Sequence, residues 1–208
     1  MNLTLMRRLA LTGLMSAAPV AQAVGIDYAQ ADTASNATSA VVVSALGPTD
    51  AAMPPPLVSA TYARWSTGEA ASIGYVYRWA LPGEVHRWFL GAGVGANSFR
   101  NRASSTDHDD AALSARLQSE WLGPAPGGNY YGLIQAASFR RTWLAAAQYA
   151  PSGVPVAPEW TRYHERGYQS TSLGLRISVG VPRWFVRVGV IRAEGESRPY
   201  IGVAYNGF

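Results

Sequence analysis

The sequence predicts an all-β fold, an antiparallel β-barrel that crosses a membrane. Three observations carry that prediction. Apolar residues alternate with other residues over long segments, as strands with two unlike faces require. Arginines inside those segments fall on one parity only. The mature chain has no uninterrupted apolar run of the length a transmembrane helix needs, about 18 residues or more, yet 48% of the chain is hydrophobic and 11% aromatic.

The 208-residue chain opens with a secretory signal pattern. Arg7 and Arg8 give a basic start, Leu9 to about Val20 is apolar, and Ala21-Gln22-Ala23 has the small-x-small form cut by signal peptidase. Residues 1–23 are therefore expected to be removed, leaving one domain's worth of chain. All 17 basic residues are arginine. Loss of Arg7 and Arg8 leaves 15 against 13 acidic residues, close to neutral. That balance argues against a nucleic-acid binder that works by neutralising phosphates. With no cysteine, thiol catalysis, thiolate metal sites and disulfides are excluded.

Strands are expected at about 57–65, 69–79, 86–98, 111–121, 129–149, 168–181, 184–193 and 199–208. In 69–79, Ala71, Ile73, Tyr75, Tyr77 and Trp79 share one face, and Ser72, Gly74, Val76 and Arg78 the other. In 86–98, Trp88, Leu90, Ala92, Val94 and Ala96 oppose Arg87, Phe89, Gly91, Gly93, Gly95 and Asn97. In 111–121, Leu113, Ala115, Leu117 and Trp121 oppose Ser114, Arg116, Gln118 and Glu120. The segment STSLGLRISVGVPRWFVRVGV repeats the pattern, with Arg176 and Arg187 among glycines and serine.

A strand in lipid turns its apolar side chains outward and its alternate residues to the lumen. An arginine on the lipid face near the midplane costs roughly 2–4 kcal/mol. The expected lumenal polar network is therefore Arg78, Arg87, Arg116, Gln118, Glu120, Arg176 and Arg187, with glycines on the same face making room for the long side chains. A soluble sandwich also has one apolar face. Its strands are usually shorter, and an arginine–glycine face makes a poor solvated exterior. Aromatics near strand ends, among them Trp65, Trp79, Trp88, Trp121, Trp143, Trp184 and Tyr200, match interfacial girdles.

Eight strands are favoured. Ten follow if 24–31 and 39–46 form an extra hairpin before Pro54-Pro55-Pro56; otherwise 24–56 is an N-terminal tail and 57–208 the barrel. If 57–65 runs outward, the two longest loops, 101–110 and 151–167, fall on one side, as outer-membrane barrels arrange them. The C-terminus then lies at the periplasmic face.

With these residues in view, the chain resembles the small outer-membrane β-barrel proteins of Gram-negative bacteria. The resemblance covers most of the mature chain and rests on pattern. It implies an outer-membrane location after cleavage near Ala23, membrane lipid as surroundings, and the barrel-assembly machinery as a partner. Such proteins usually end in phenylalanine with apolar residues at alternate positions before it. This chain ends RPYIGVAYNGF, at Phe208. Ile201, Val203 and Tyr205 lie on the opposite parity; Tyr200, Gly202, Ala204 and Asn206 are in phase, and a kink at Asn206-Gly207 would restore the usual pattern.

No catalytic residues, metal ligands or cofactor are assigned. Lipid A deacylases carry a His-x-Ser pair; here the residues two after His86, His108 and His164 are Trp88, Asp110 and Arg166. His164 and Glu165 could serve as base and orienter only in a loop, because neighbours on a strand face opposite ways. Asp107, His108, Asp109 and Asp110 could hold a divalent cation through oxygen ligands, or form a polar loop. Gly91-x-Gly93-x-Gly95 has the wrong spacing for a dinucleotide loop. The leading expectation is a non-enzymatic barrel whose outward loops near 99–110 and 151–167 make surface contacts, or which supports envelope integrity. The alternatives are a lipid A- or phospholipid-modifying enzyme and a narrow anion-selective pore. An eight-stranded interior is only wide enough to be filled by side chains.

Overall fold

The computed structural model describes residues 26–47, 53–83, 85–101, 108–193 and 195–207, without the side chains of His108 and Asp109. The expected signal at 1–23, Asp107 and the terminal Phe208 lie outside them. The described residues form twelve antiparallel strands: β1 (Tyr28–Ala34), β2 (Ala37–Ala45), β3 (Leu57–Trp65), β4 (Gly68–Leu81), β5 (Arg87–Asn101), β6 (His108–Ala125), β7 (Gly128–Ala137), β8 (Thr142–Pro151), β9 (Val156–Glu165), β10 (Tyr168–Ser178), β11 (Trp184–Ala193) and β12 (Glu196–Asn206). Each pairs with its neighbours in the chain, and β1 pairs with β12 to close the barrel. Closure leaves no edge strand with unpaired backbone groups, the condition for a sheet to sit in lipid.

The count corrects the expectation of eight strands, or ten, in three places. The N-terminal segment is no tail: β1 and β2 form the additional hairpin, and β1 is the closing strand. Segment 129–149 is two strands, β7 and β8. The chain reverses between them through a short turn at Phe139–Arg141, where Arg140 (φ 50°) and Arg141 (φ 52°) occupy the left-handed region. That backbone is unusual outside glycine, asparagine and aspartate, so Phe139-Arg140-Arg141 carries no compositional turn signal. Segment 151–167 is not a long outer loop, because most of it is β9. Pro158 falls just beyond the β8–β9 pairing, which runs from Trp143↔His164 to Gln148↔Glu159. Proline is tolerated at such a position. Likewise β5 runs to Asn101 and β6 begins at His108, so 99–101 and 108–110 belong to strands.

The barrel is inside-out relative to a soluble domain. Leu113 is 83% exposed and Leu117 and Leu173 are each 65% exposed on the outer surface, whereas Arg187 is 3% and Arg116 and Arg176 are each 5% exposed. The two ends of the barrel are distinguishable. The chain's described termini lie at one, the terminal end; the other, the hairpin end, carries the β1–β2, β3–β4, β7–β8 and β9–β10 turns at 35–36, 66–67, 138–141 and 166–167.

Candidate functional site: the lumen and its hairpin-end mouth

Pairing fixes which side chains share the interior. Arg78↔Gly91↔Gln118↔Gln135 is one inward row across β4 to β7, and Arg176↔Arg187↔Gly202↔Asp32 is another across β10 to β1. The two rows lie on opposite walls of the twelve-strand ring.

On the β9–β1 wall, Glu159 is the hub. Its Oε2 accepts from Arg176 Nη2 at 3.2 Å and Nε at 3.3 Å. Its Oε1 accepts from Arg187 Nη2 at 2.5 Å and Nε at 2.8 Å, and from the Tyr200 hydroxyl at 3.1 Å. Arg187 also pairs with Asp32, whose Oδ2 accepts from Gln30 Nε2 at 2.7 Å. Arg176 Nη2 donates to the Tyr28 hydroxyl at 3.1 Å. Two guanidiniums therefore face two carboxylates. Gly174 and Gly189 let Tyr200 lie flat here, since a Cβ on either would overlap its ring or hydroxyl.

On the β4–β7 wall, Arg78 pairs with Glu120 at 3.7 Å, and Gln118 donates to Glu120 while accepting from Gln135 at 3.3 Å. Arg78 further donates from Nε (3.2 Å) and Nη2 (3.1 Å) to the Pro55 carbonyl. The buried Pro55 thus brings the triproline segment against the terminal end of the lumen.

Arg116 stands apart. Its Nη2 donates to Asn97 Oδ1 at 3.2 Å and its Nη1 to Ser59 Oγ at 3.5 Å; its Nε is buried without a partner. No carboxylate pairs with it among the described residues. Its side chain lies across Gly95 and Gly74, where any Cβ would overlap the guanidinium. Arg78, Arg176 and Arg187 are each paired with a carboxylate of Asp32, Glu120 or Glu159, and Arg116 is the buried inward arginine left without one among the described residues.

Toward the hairpin end, aromatic rings meet across the barrel. Trp65 on β3 and Tyr168 on β10 stack with centroids 4.8 Å apart, although five strand steps separate them by the shorter path. Phe99 lies 5.7 Å from Trp65, and Tyr163 lies 6.0 Å from Tyr168. Arg140 in the β7–β8 turn covers this cluster. Its Cζ is 3.8 Å from the Phe99 centroid, Nη2 donates to the Arg166 carbonyl at 2.5 Å, and Nη1 pairs with Asp110. Glu165, 2% exposed, accepts from the Tyr163 hydroxyl at 2.6 Å.

Of the sequence-predicted lumenal residues, Arg78, Gln118 and Glu120 meet on one wall, Arg176 and Arg187 meet on the other, and Arg116 reaches from β6 across Gly95 and Gly74 to Ser59 on β3. Arg87 is on the inward parity at the exposed terminal end of β5. Sequence reasoning missed Tyr28, Asp32, Glu159, Tyr163, Glu165 and Arg140, and placed Asn97 correctly on the inward parity of β5. Ala157, Glu159, Thr161, Tyr163 and Glu165 do alternate with Val156, Pro158, Trp160 and Arg162, so a period-two signal was present under the loop assignment. His164 and Glu165 do not form the base–orienter pair considered from the sequence. Both are on a strand, His164 stacked outward on Trp143 at 5.8 Å and Glu165 inward. His86 contacts the Tyr130 hydroxyl at 3.0 Å, away from the lumenal clusters.

A twelve-stranded closed barrel with charges inside and leucines outside has matching solved structures. The KdgM porin aligns with a TM-score of 0.54 at 11% identity, over 87% of this chain and 98% of that one. The fold is that of an outer-membrane β-barrel. The KdgM porin in complex with disordered oligogalacturonate aligns with a TM-score of 0.52, at 11% identity and the same coverages. The Acinetobacter baumannii outer membrane protein Omp33 aligns at 0.48 and 9% identity, over 87% of this chain and 96% of that one. No known family's sequence profile matches the chain, and no curated protein matches it in sequence.

Proposed function

We propose that this protein is a non-enzymatic channel of the outer membrane, selective for small anionic solutes. The observation that carries the reading is Arg116, a buried lumenal guanidinium with no carboxylate partner among the described residues, whereas Arg78, Arg176 and Arg187 are each paired with a carboxylate. Fixed positive charge in a low-dielectric passage attracts anions and repels cations. Twelve strands also remove the objection that an eight-stranded interior is filled by side chains, since diameter grows with strand number. The porin solved with oligogalacturonate, an acidic oligosaccharide, is consistent with an anionic solute class here. A role in surface contact through long outward loops has less support, because the described hairpin-end turns are only two to four residues long.

The test is conductance in planar bilayers under a KCl gradient. The parent protein is expected to pass current with a reversal potential on the anion side, and Arg116→Gln to move it toward zero. Silent bilayers from a barrel that still migrates as a folded, heat-modifiable band would overturn the reading.

A further inference from the structure

The outer surface of the hairpin end carries charge that the lumen does not explain. Arg64, Arg100, Arg162 and Arg192 are on outward parity near strand tips, and Arg141 and Arg166 are in the adjoining turns; all six are exposed. Among the described residues, the terminal end has one arginine off the inward parity, Arg183 in the β10–β11 turn. Arg100 pairs with Glu69 at 3.1 Å. No carboxylate among the described residues pairs with Arg64, Arg141, Arg162, Arg166 or Arg192.

Register organises part of this rim into a site. Arg162↔Thr171↔Arg192↔Ser197 is one continuous outward row across β9, β10, β11 and β12. The next outward row toward the terminal end is Trp160↔Leu173↔Val190↔Pro199. Trp160 is 37% exposed, Leu173 65% and Val190 49%. The polarity therefore changes completely within one outward row, from aliphatic and aromatic to two guanidiniums and two hydroxyls. Arg162 and Arg192 flank Thr171 two strand spacings apart, about 10 Å. Arg162 lies over the Trp143 ring at 5.6 Å, and Trp143 stacks on His164. A ring under a guanidinium leaves its edge N–H groups free to donate, and tryptophan at a polar–apolar boundary is an interfacial anchor.

We propose that the row Arg162, Thr171, Arg192 and Ser197 binds the phosphate groups of membrane-lipid headgroups, with the other rim arginines extending the belt. Among the described residues the guanidiniums of this row have no carboxylate partner, and lipid phosphate supplies charge and acceptors at the depth where the apolar band ends. The proposal rests on the barrel being membrane-embedded and adds the chemistry of the leaflet around its hairpin end.

The experiment reconstitutes the full protein into vesicles of phosphatidylcholine alone or with lipid A, a bis-phosphorylated glycolipid. The barrel is then extracted in mild detergent, and retained lipid A per barrel is counted by mass spectrometry. The parent should retain lipid A. Arg162→Gln/Arg192→Gln should retain about fivefold less for each arginine removed, roughly twenty-five-fold together. Arg162→Lys/Arg192→Lys, which keeps the charge, should retain most of it, and Arg183→Gln should match the parent. Equal retention by the parent and the glutamine double variant, both folded, overturns the proposal. So does an equal loss in Arg183→Gln, which would make the effect one of overall charge. Failure to insert into either vesicle would overturn the embedded-barrel reading itself, and this proposal with it.

Discussion

Replacing Glu159 by Gln tests the lumenal network at its hub. The substitution keeps the shape of the side chain and removes one negative charge from between two buried guanidiniums, Arg176 and Arg187. Arg187 still has Asp32, so its charge remains compensated. Arg176 is left with the Tyr28 hydroxyl and an amide in place of a carboxylate. Removing one partner of a buried pair costs about 3–5 kcal/mol. Because Asp32 remains, the lower end applies, about 3 kcal/mol, or roughly a hundredfold in the folding equilibrium. With a urea slope of about 1–3 kcal/mol/M, the unfolding midpoint should fall by about 1–3 M. The assay is urea titration of the detergent-folded barrel, read by loss of the fast-migrating unheated band. Arg116→Gln is the control, since it removes a buried charge that has no carboxylate partner. Its midpoint should move several-fold less. Equal shifts in the two variants, or an unmoved midpoint in Glu159→Gln, would refute the argument that Glu159 compensates both arginines.

Three further outcomes follow from the geometry. Trp65→Ala removes one half of the cross-barrel stack with Tyr168, and should raise single-channel conductance without changing which ion is preferred; an unchanged conductance would mean the stack does not limit the passage. Arg140→Ala frees the β7–β8 turn from Asp110 and the Arg166 carbonyl, and should make the turn more susceptible to protease in detergent while β6 and β8 stay protected, as limited proteolysis with mass mapping would read. Gly95→Val places a branched side chain where Arg116 lies, and should destabilise the fold by about 1–3 kcal/mol through overpacking; Gly95→Val/Arg116→Ala should recover most of the loss in the same urea titration.

Strand architecture was legible wherever one face is uniformly apolar. In β4, β5, β6, β10 and β11, the lipid contacts every second side chain, so a local alternation records a global fact about the solvent. The inward arginines Arg78, Arg116, Arg176 and Arg187 were readable for the same reason: their position on a strand decides which solvent they meet, before any partner is known. β9 was not legible in this way. Its outward set, Val156, Pro158, Trp160, Arg162 and His164, passes from apolar to polar toward the hairpin end, so the alternation fades within the strand. The β7–β8 reversal was hidden because two arginines adopt the left-handed backbone that glycine usually supplies.

What the sequence determined by itself was the class of fold and the parity of its charges, since period-two patterning is local and survives without knowledge of neighbours. What only the tertiary structure decided was the number of strands and the identity of the partners. Glu159 meets Arg187 across 28 residues of chain, and Asp32 meets the same arginine across 155. Trp65 meets Tyr168 only because the closed ring sets them on facing walls. Closure is a property of the whole sheet. It depends on how many strands must join and with what stagger before the first can pair with the last, and no single strand carries that information.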